Sequence, residues 1–167
     1  MTKLNGKEPT LHIRQYDTMA DAERQAFQKM VEEGGEVDPR GLLERVKAAY
    51  LLAYVAYEDR LIGVGAIKRP ADSYVQYVSD RSGYDLKGYF AELGWIYIST
   101  AERKRGLAYR ISEKLCESYG SPMFATTRID NIGMQRILGK LGFAKKGRQY
   151  DSVEHPGIKI QVWVKSA

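Results

Sequence analysis

A chain of 167 residues, 44% of them hydrophobic and 28% charged, suits a single hydrophobic core and lies far from the composition of disordered chains. Its one cysteine excludes an intrachain disulfide, the polar residues 1–10 lack the apolar core of a signal peptide, and no run of about 18 apolar residues offers a membrane helix, so the expected setting is cytoplasmic, with no membrane partner. The net charge of +5, from 26 basic and 21 acidic side chains, draws anions, and its densest stretches at 103–114 and 140–148 favour a compact polyphosphate over nucleic acid, which is not otherwise indicated.

Residues 1–10 read as a polar tail and 11–167 as one domain. Residues 11–16 alternate apolar and polar side chains, the period of a half-buried strand. Asp17 or Thr18 is placed to cap a helix whose Met19, Ala22, Ala26, Phe27 and Met30 share one face, and Gly34 with Gly35 ends it. A second helix is predicted from near Asp38 and Pro39, carrying Leu42, Leu43, Val46 and Ala49 at helical spacing. Residues 50–57 and 61–67 are rich in β-formers and closely linked, which predicts an antiparallel hairpin.

Between 70 and 88 no clear period stands out. The segment reads as a surface loop with room for one short helix, and it holds Tyr74, Tyr77 and Tyr84 among Asp, Ser and Gly. Residues 90–99 form the strongest strand, interrupted by Gly94, where a bulge and a tight packing contact are both open readings. A helix follows with Leu107, Ala108, Ile111, Leu115 and Tyr119 on one face, ending at Gly120. A short strand at 123–127, an amphipathic helix at 131–141 and a hairpin of 143–151 with 158–164 complete the order β-αα-βββ-α-β-α-ββ, an α/β class with four helices.

The chemistry gathers between the strong strand and its helix, at Arg103-Lys104-Arg105-Gly106-Leu107-Ala108. Glycine lets a backbone approach a ligand, and the unpaired N–H groups of a first helical turn, with the positive end of the helix dipole, bind phosphate. Alone, a basic glycine turn before a helix is ordinary. Cys116 reads as a packing residue within a helix, His12 and His155 form no metal or triad pattern, and Gly63-Val64-Gly65 lacks the third glycine and following helix of a dinucleotide fingerprint.

Arg103-x-x-Gly106-x-Ala108 after a strand resembles the pyrophosphate-binding motif of the GNAT superfamily of N-acetyltransferases, and the later segment from Asn131, opening a helix that ends in Leu141-Gly142-Phe143, is similar to that family's second motif. The resemblance covers roughly residues 50–164 and fits the first 50 only in outline. It implies a mixed sheet of about seven strands, splayed between the fourth and fifth, with acetyl-coenzyme A as cosubstrate in the split and no metal. It further implies that backbone groups of Ile96, Tyr97 and Ile98 pair with pantetheine, that the segment from Arg103 to Ala108 meets the phosphates, and that Asn131 belongs to the cofactor site. Glu92, eleven residues before Arg103, matches the position of a catalytic glutamate in the histone-acetyltransferase branch.

One departure stands out: Leu138 occupies the position where many members place a tyrosine as general acid, leaving Tyr97, Tyr109 and Tyr150 as open substitutes. The implied reaction is transfer of an acetyl or acyl group to a primary amine by direct attack, with Tyr74, Tyr77 and Tyr84 as acceptor-binding residues. The acceptor is a small molecule or an amine on protein or RNA, and a homodimer is compatible with the sequence. A degenerate acyl-coenzyme-A sensor and a nucleic-acid-binding or modifying domain are the competing readings, separated by thioester consumption and by salt-sensitive binding to nucleic acid.

Overall fold

A computed structural model of the chain describes residues 7–120 and 122–166. Most of the polar tail, residues 1–6, therefore lies outside the described residues. The described residues are mixed α/β with seven strands in the sheet order β1-β2-β3-β4-β5-β7-β6, and the chain divides into two compact units that share the fourth strand.

The first unit holds the chain up to Lys68 together with Trp95–Tyr119. Its strands β1 (Thr10–Arg14), β2 (Leu51–Tyr57) and β3 (Arg60–Lys68) form an antiparallel meander in which His12 pairs with Tyr54 and Tyr54 with Val64. Helices α1 (Asp21–Glu33) and α2 (Leu42–Ala48) lay Phe27, Met30, Val31, Leu42 and Val46 on one sheet face, against Leu52, Tyr54, Ala56, Val64 and Ala66. The strand β4 (Glu92–Ile98) ends in this unit and leads to α4 (Leu107–Tyr119).

Gly63 and Gly65 project from the opposite face of β3, where a Cβ on Gly65 would lie 2.6 Å from both Ile111 Cγ2 and Ile96 Cδ1. The Gly-x-Gly pair is thus a packing device: bare backbone lets Ile111 of α4 and Ile96 of β4 press against β3. Cys116 is buried on α4, as a packing residue should be.

The second unit holds Arg69–Gly94 and the chain from Gly120 onward. It contains α3 (Asp72–Ser82), the start of β4, β5 (Met123–Arg128), α5 (Ile132–Lys140), β6 (Ala144–Asp151) and β7 (Lys159–Lys165). β7 runs antiparallel between β5 and β6, pairing Phe124 with Val164 and Tyr150 with Ile160. Val78 of α3, Leu86, Phe124, Tyr150, Val162 and Val164 form the core of this unit.

Several sequence expectations are corrected. The segment 70–88 is not chiefly loop: α3 occupies Asp72–Ser82, so the described residues hold five α-helices rather than four. Ala71 precedes it and offers no side-chain cap, which hid its start. Asp17 and Thr18 lie in a 3-10 turn (Tyr16–Thr18), where the Thr18 hydroxyl donates to the Gln15 carbonyl at 2.8 Å, and α1 starts only at Asp21. The second helix starts at Leu42, because Asp38 accepts from the Arg40 N–H at 2.9 Å in a turn of its own.

Candidate active site

In the first unit the site begins where β4 ends. The Ser99 N–H donates to the Ile62 carbonyl at 2.9 Å, and a 3-10 turn (Thr100–Glu102) follows. The Glu102 side chain is only 8% exposed and lies 2.5 Å from Arg105 Nη1 and 3.5 Å from Arg60 Nη2. A buried carboxylate needs such partners, and its two arginines tie the turn to the start of β3. Arg103 donates from Nε to the Ile98 carbonyl at 3.1 Å and sets its guanidinium 5.7 Å from the centre of the Tyr97 ring.

Two cations of the sequence motif are therefore held by oxygens of the chain beside them, exposed Arg103 by the Ile98 carbonyl and half-buried Arg105 by Glu102. Backbone is open there as well: Lys104 at φ +64° and Gly106 at φ +74° are left-handed, and a Cβ on Gly106 would meet nothing within 4 Å. Left-handed residues alternating with ordinary ones gather successive N–H groups into an anion-binding concavity. α4 follows at once with Leu107, adding the positive end of its dipole.

Upstream, Ile96, Tyr97 and Ile98 lie on β4 with Ile96 and Ile98 turned toward α4 and Tyr97 toward the α1–α2 core. The irregularity that the sequence suggested at Gly94 falls one residue later, at Trp95, whose φ is +55°. A bulky residue in that conformation is a genuine outlier and breaks the regular pleat of β4.

In the second unit β4 and β5 share the parallel register pair Glu92 with Phe124, reinforced by the Phe124 N–H donating to the Ala91 carbonyl at 3.1 Å. Glu92 is 2% exposed. The Tyr74 hydroxyl of α3 hydrogen-bonds both Glu92 and Thr126 of β5. Burial, then the charge of Glu92, hold the Tyr74 phenol well above the usual tyrosine range. The same two causes raise Tyr150 of β6.

The remaining predicted residues divide. Tyr77 stands edge-on to Tyr150 at 6.3 Å between ring centres, and the Arg81 guanidinium lies 5.8 Å from the Tyr77 ring centre. Tyr84 bonds Tyr89, the main cause of its own raised pKa, and packs at the margin of the apolar core. Asn131 caps α5, its Oδ1 accepting from the Met134 N–H at 3.0 Å. Leu138 is fully buried on α5. Tyr74, Tyr77 and Glu92 thus share one cluster, while 96–98 and 103–108 belong to the other unit. Sequence reasoning missed Glu102 and Thr126, which carry no motif, and the helical spacing of Tyr74, Val78 and Ser82 that marks the inner face of α3.

Among the described residues no helix is long and apolar enough to cross a membrane, and no group of three or more His, Cys, Asp or Glu side chains gathers as a metal site would.

The fold is shared with solved structures of low sequence identity. An acyl-CoA N-acyltransferase from Pseudomonas aeruginosa superimposes with a TM-score of 0.69 at 13% identity, covering 95% of this chain and 100% of its own. Salmonella typhimurium yncA, solved with its cofactor acetyl-CoA, gives 0.66 at 15% identity and 94% of each chain. An acetyltransferase of the GNAT family from Streptococcus agalactiae gives 0.66 at 18% identity, covering 94% of this chain and 95% of its own. Among curated proteins none matches this chain in sequence. The model of the Acetyltransferase (GNAT) family matches residues 16–143, which include the phosphate-type turn, Glu92 and the Asn131 helix, and the chain therefore belongs to the GNAT acetyltransferase family.

Proposed function

We propose that residues 11–167 act as one acyl-coenzyme-A-dependent N-acyltransferase domain that acylates a primary amine. The observation that carries the reading is the turn before α4, with its left-handed Lys104 and Gly106, the open space at Gly106 and the helix start behind it. Such a backbone suits a diphosphate. In this reading the segment from Arg103 to Ala108 binds the phosphates and backbone groups of Ile96, Tyr97 and Ile98 bind pantetheine, while Asn131 of the second unit is also assigned to the cofactor. When bound, acetyl-coenzyme A supplies a thioester carbonyl open to direct attack by a free amine, with no covalent acyl-enzyme.

Glu92 then has one task, to remove a proton from the acceptor. An amine with a pKa of about 10.4 is almost wholly protonated at neutral pH and does not attack until that proton leaves. We assign Glu92 to this work because its spacing to Arg103 matches the position of a catalytic glutamate in the histone-acetyltransferase branch. Tyr77 and Tyr84, with the exposed side of α3, are assigned to the acceptor. A thiol of pKa about 8.5 leaves without a dedicated acid, which makes Leu138 tolerable.

The test is a thiol-release assay with acetyl-coenzyme A across a panel of amines: peptide lysine, peptide N-terminus, polyamine, aminoglycoside and aminoacyl-tRNA. Amine-dependent release with at least one of them is expected. Tight coenzyme-A binding with no release from any amine would favour the sensor reading, and no binding at millimolar coenzyme A would overturn the cofactor assignment.

A further inference from the structure

Glu92, Phe124 and Thr126 come from adjoining strands of the second unit. Glu92 stands in register with Phe124, and Thr126 follows Phe124 by two residues, so it projects from the same face of β5. α3 contributes Tyr74 and Val78 to the apolar cluster containing Phe124, Val162 and Val164. A carboxylate in such surroundings is costly unless hydrogen bonds replace its lost water. The Tyr74 hydroxyl provides one, and it also contacts Thr126.

The bonds have a direction. A carboxylate only accepts, so the single Tyr74 proton goes to Glu92, and the Tyr74 oxygen accepts the Thr126 proton in turn. We propose that Tyr74 is a positioning residue for Glu92, held in turn by Thr126, so that helix α3 orients the carboxylate that takes the acceptor's proton. The proposal rests on the reading of Glu92 as base.

Tyr74 is suited to the part because it stays a donor. Burial and the nearby Glu92 charge keep its phenol protonated across the working pH range. The titratable groups facing Glu92 are Tyr74 from α3 and Tyr150 from β6, and Tyr150 is likewise held neutral. Arg81, near the end of α3, acts on Tyr150 and on the Tyr77 ring.

The sign of the effect follows. A hydrogen bond to the ionised carboxylate favours ionisation, so its removal lets Glu92 take up a proton at higher pH. Tyr74→Phe keeps the ring and deletes only the donor. In the full-length protein it should move the acidic limb of the kcat/KM profile up by about one pH unit, with coenzyme-A binding retained. Thr126→Val, which leaves Tyr74 in place, should move it the same way by less.

Carbon-13 NMR of the Glu92 carboxyl, assigned by its loss in Glu92→Gln, reads the same contact without turnover. Its titration should move to higher pH in Tyr74→Phe. An unmoved titration in both Tyr74→Phe and Thr126→Val overturns the positioning role. An acidic limb that survives in Glu92→Gln overturns instead the reading of Glu92 as base, so the two failures are distinct.

Discussion

The turn before α4 and the cluster around Glu92 are built on opposite principles. The turn is backbone presented to solvent: Gly106 has open space around it, Lys104 is exposed, and the two arginines beside them are bound to protein oxygens. The cluster is side chain withdrawn from solvent, with a carboxylate 2% exposed and two phenols held neutral by burial and its charge. A group that binds a polyanion gains from exposed, fixed N–H dipoles, whereas a group that takes a proton gains from dry, oriented surroundings. Damage to one should therefore leave the other's measurement largely intact.

The turn is expected to lose nearly all of its ligand-dependent stabilisation. Gly106→Asp places a negative charge in the turn proposed to hold the phosphates, at a left-handed φ that Asp tolerates better than most residues. With ligand at 100 times the native Kd, binding adds about 2.7 kcal/mol of stability, and a hundredfold weaker site would keep only about 0.4 kcal/mol. Thermal melts with and without acetyl-coenzyme A should show the shift nearly abolished. Gly106→Ala sharpens the comparison, because its Cβ has open space and only the φ cost remains. A full shift in Gly106→Asp would mean that the phosphates bind elsewhere.

Next comes the framework of the cluster. Gly147 has φ +70°, and a Cβ there would lie 2.5 Å from the carbonyl oxygen of Ser82, the last residue of α3. Backbone does not yield as a side-chain tip does, so Gly147→Ala should cost about 2–4 kcal/mol in denaturant unfolding, from crowding and from the left-handed conformation together. Gly65→Ala, at ordinary φ against the side chains of Ile111 and Ile96, should cost about 1–3 kcal/mol. A clearly larger cost at Gly65 than at Gly147 would contradict this account of how α3 is seated.

The smallest effect is expected on the acceptor side. Tyr77→Ala should raise the amine KM by about two- to fivefold, the size of an exposed cation–π contact, with acetyl-coenzyme-A affinity unchanged. Arg81 already lies over the ring, which limits what an incoming amine can gain. Parallel loss of amine and cofactor affinity would assign Tyr77 to structure alone.

The two regions also differ in how far they could be read from sequence. The turn was legible because its parts are contiguous: a strand, basic residues, Gly106 and a helix opening within a few positions. Even there the partners of Arg103 and Arg105 could not be read, since neither the Ile98 carbonyl nor the Glu102 carboxylate announces itself. Glu92 could be located by its spacing to the motif. Its environment could not, because Tyr74, Thr126 and Tyr150 come from three separate elements, and α3 starts without a capping side chain and shows a mostly polar face. Likewise Gly94 drew attention as the glycine of β4, while the strand's left-handed residue is Trp95, which is buried in the cluster with α1 and α2.

The most direct test of the account is Glu92→Gln, measured twice on the same preparation. The substitution keeps shape and most packing while deleting the proposed base. Turnover with a strongly basic amine should fall by about 10²–10³, the acidic limb of the kcat/KM profile should flatten, and acetyl-coenzyme A should still raise the melting temperature by the native amount. Near-native turnover with an unchanged pH profile would contradict the assignment of Glu92, and loss of the thermal shift would contradict the separation of proton removal from phosphate binding.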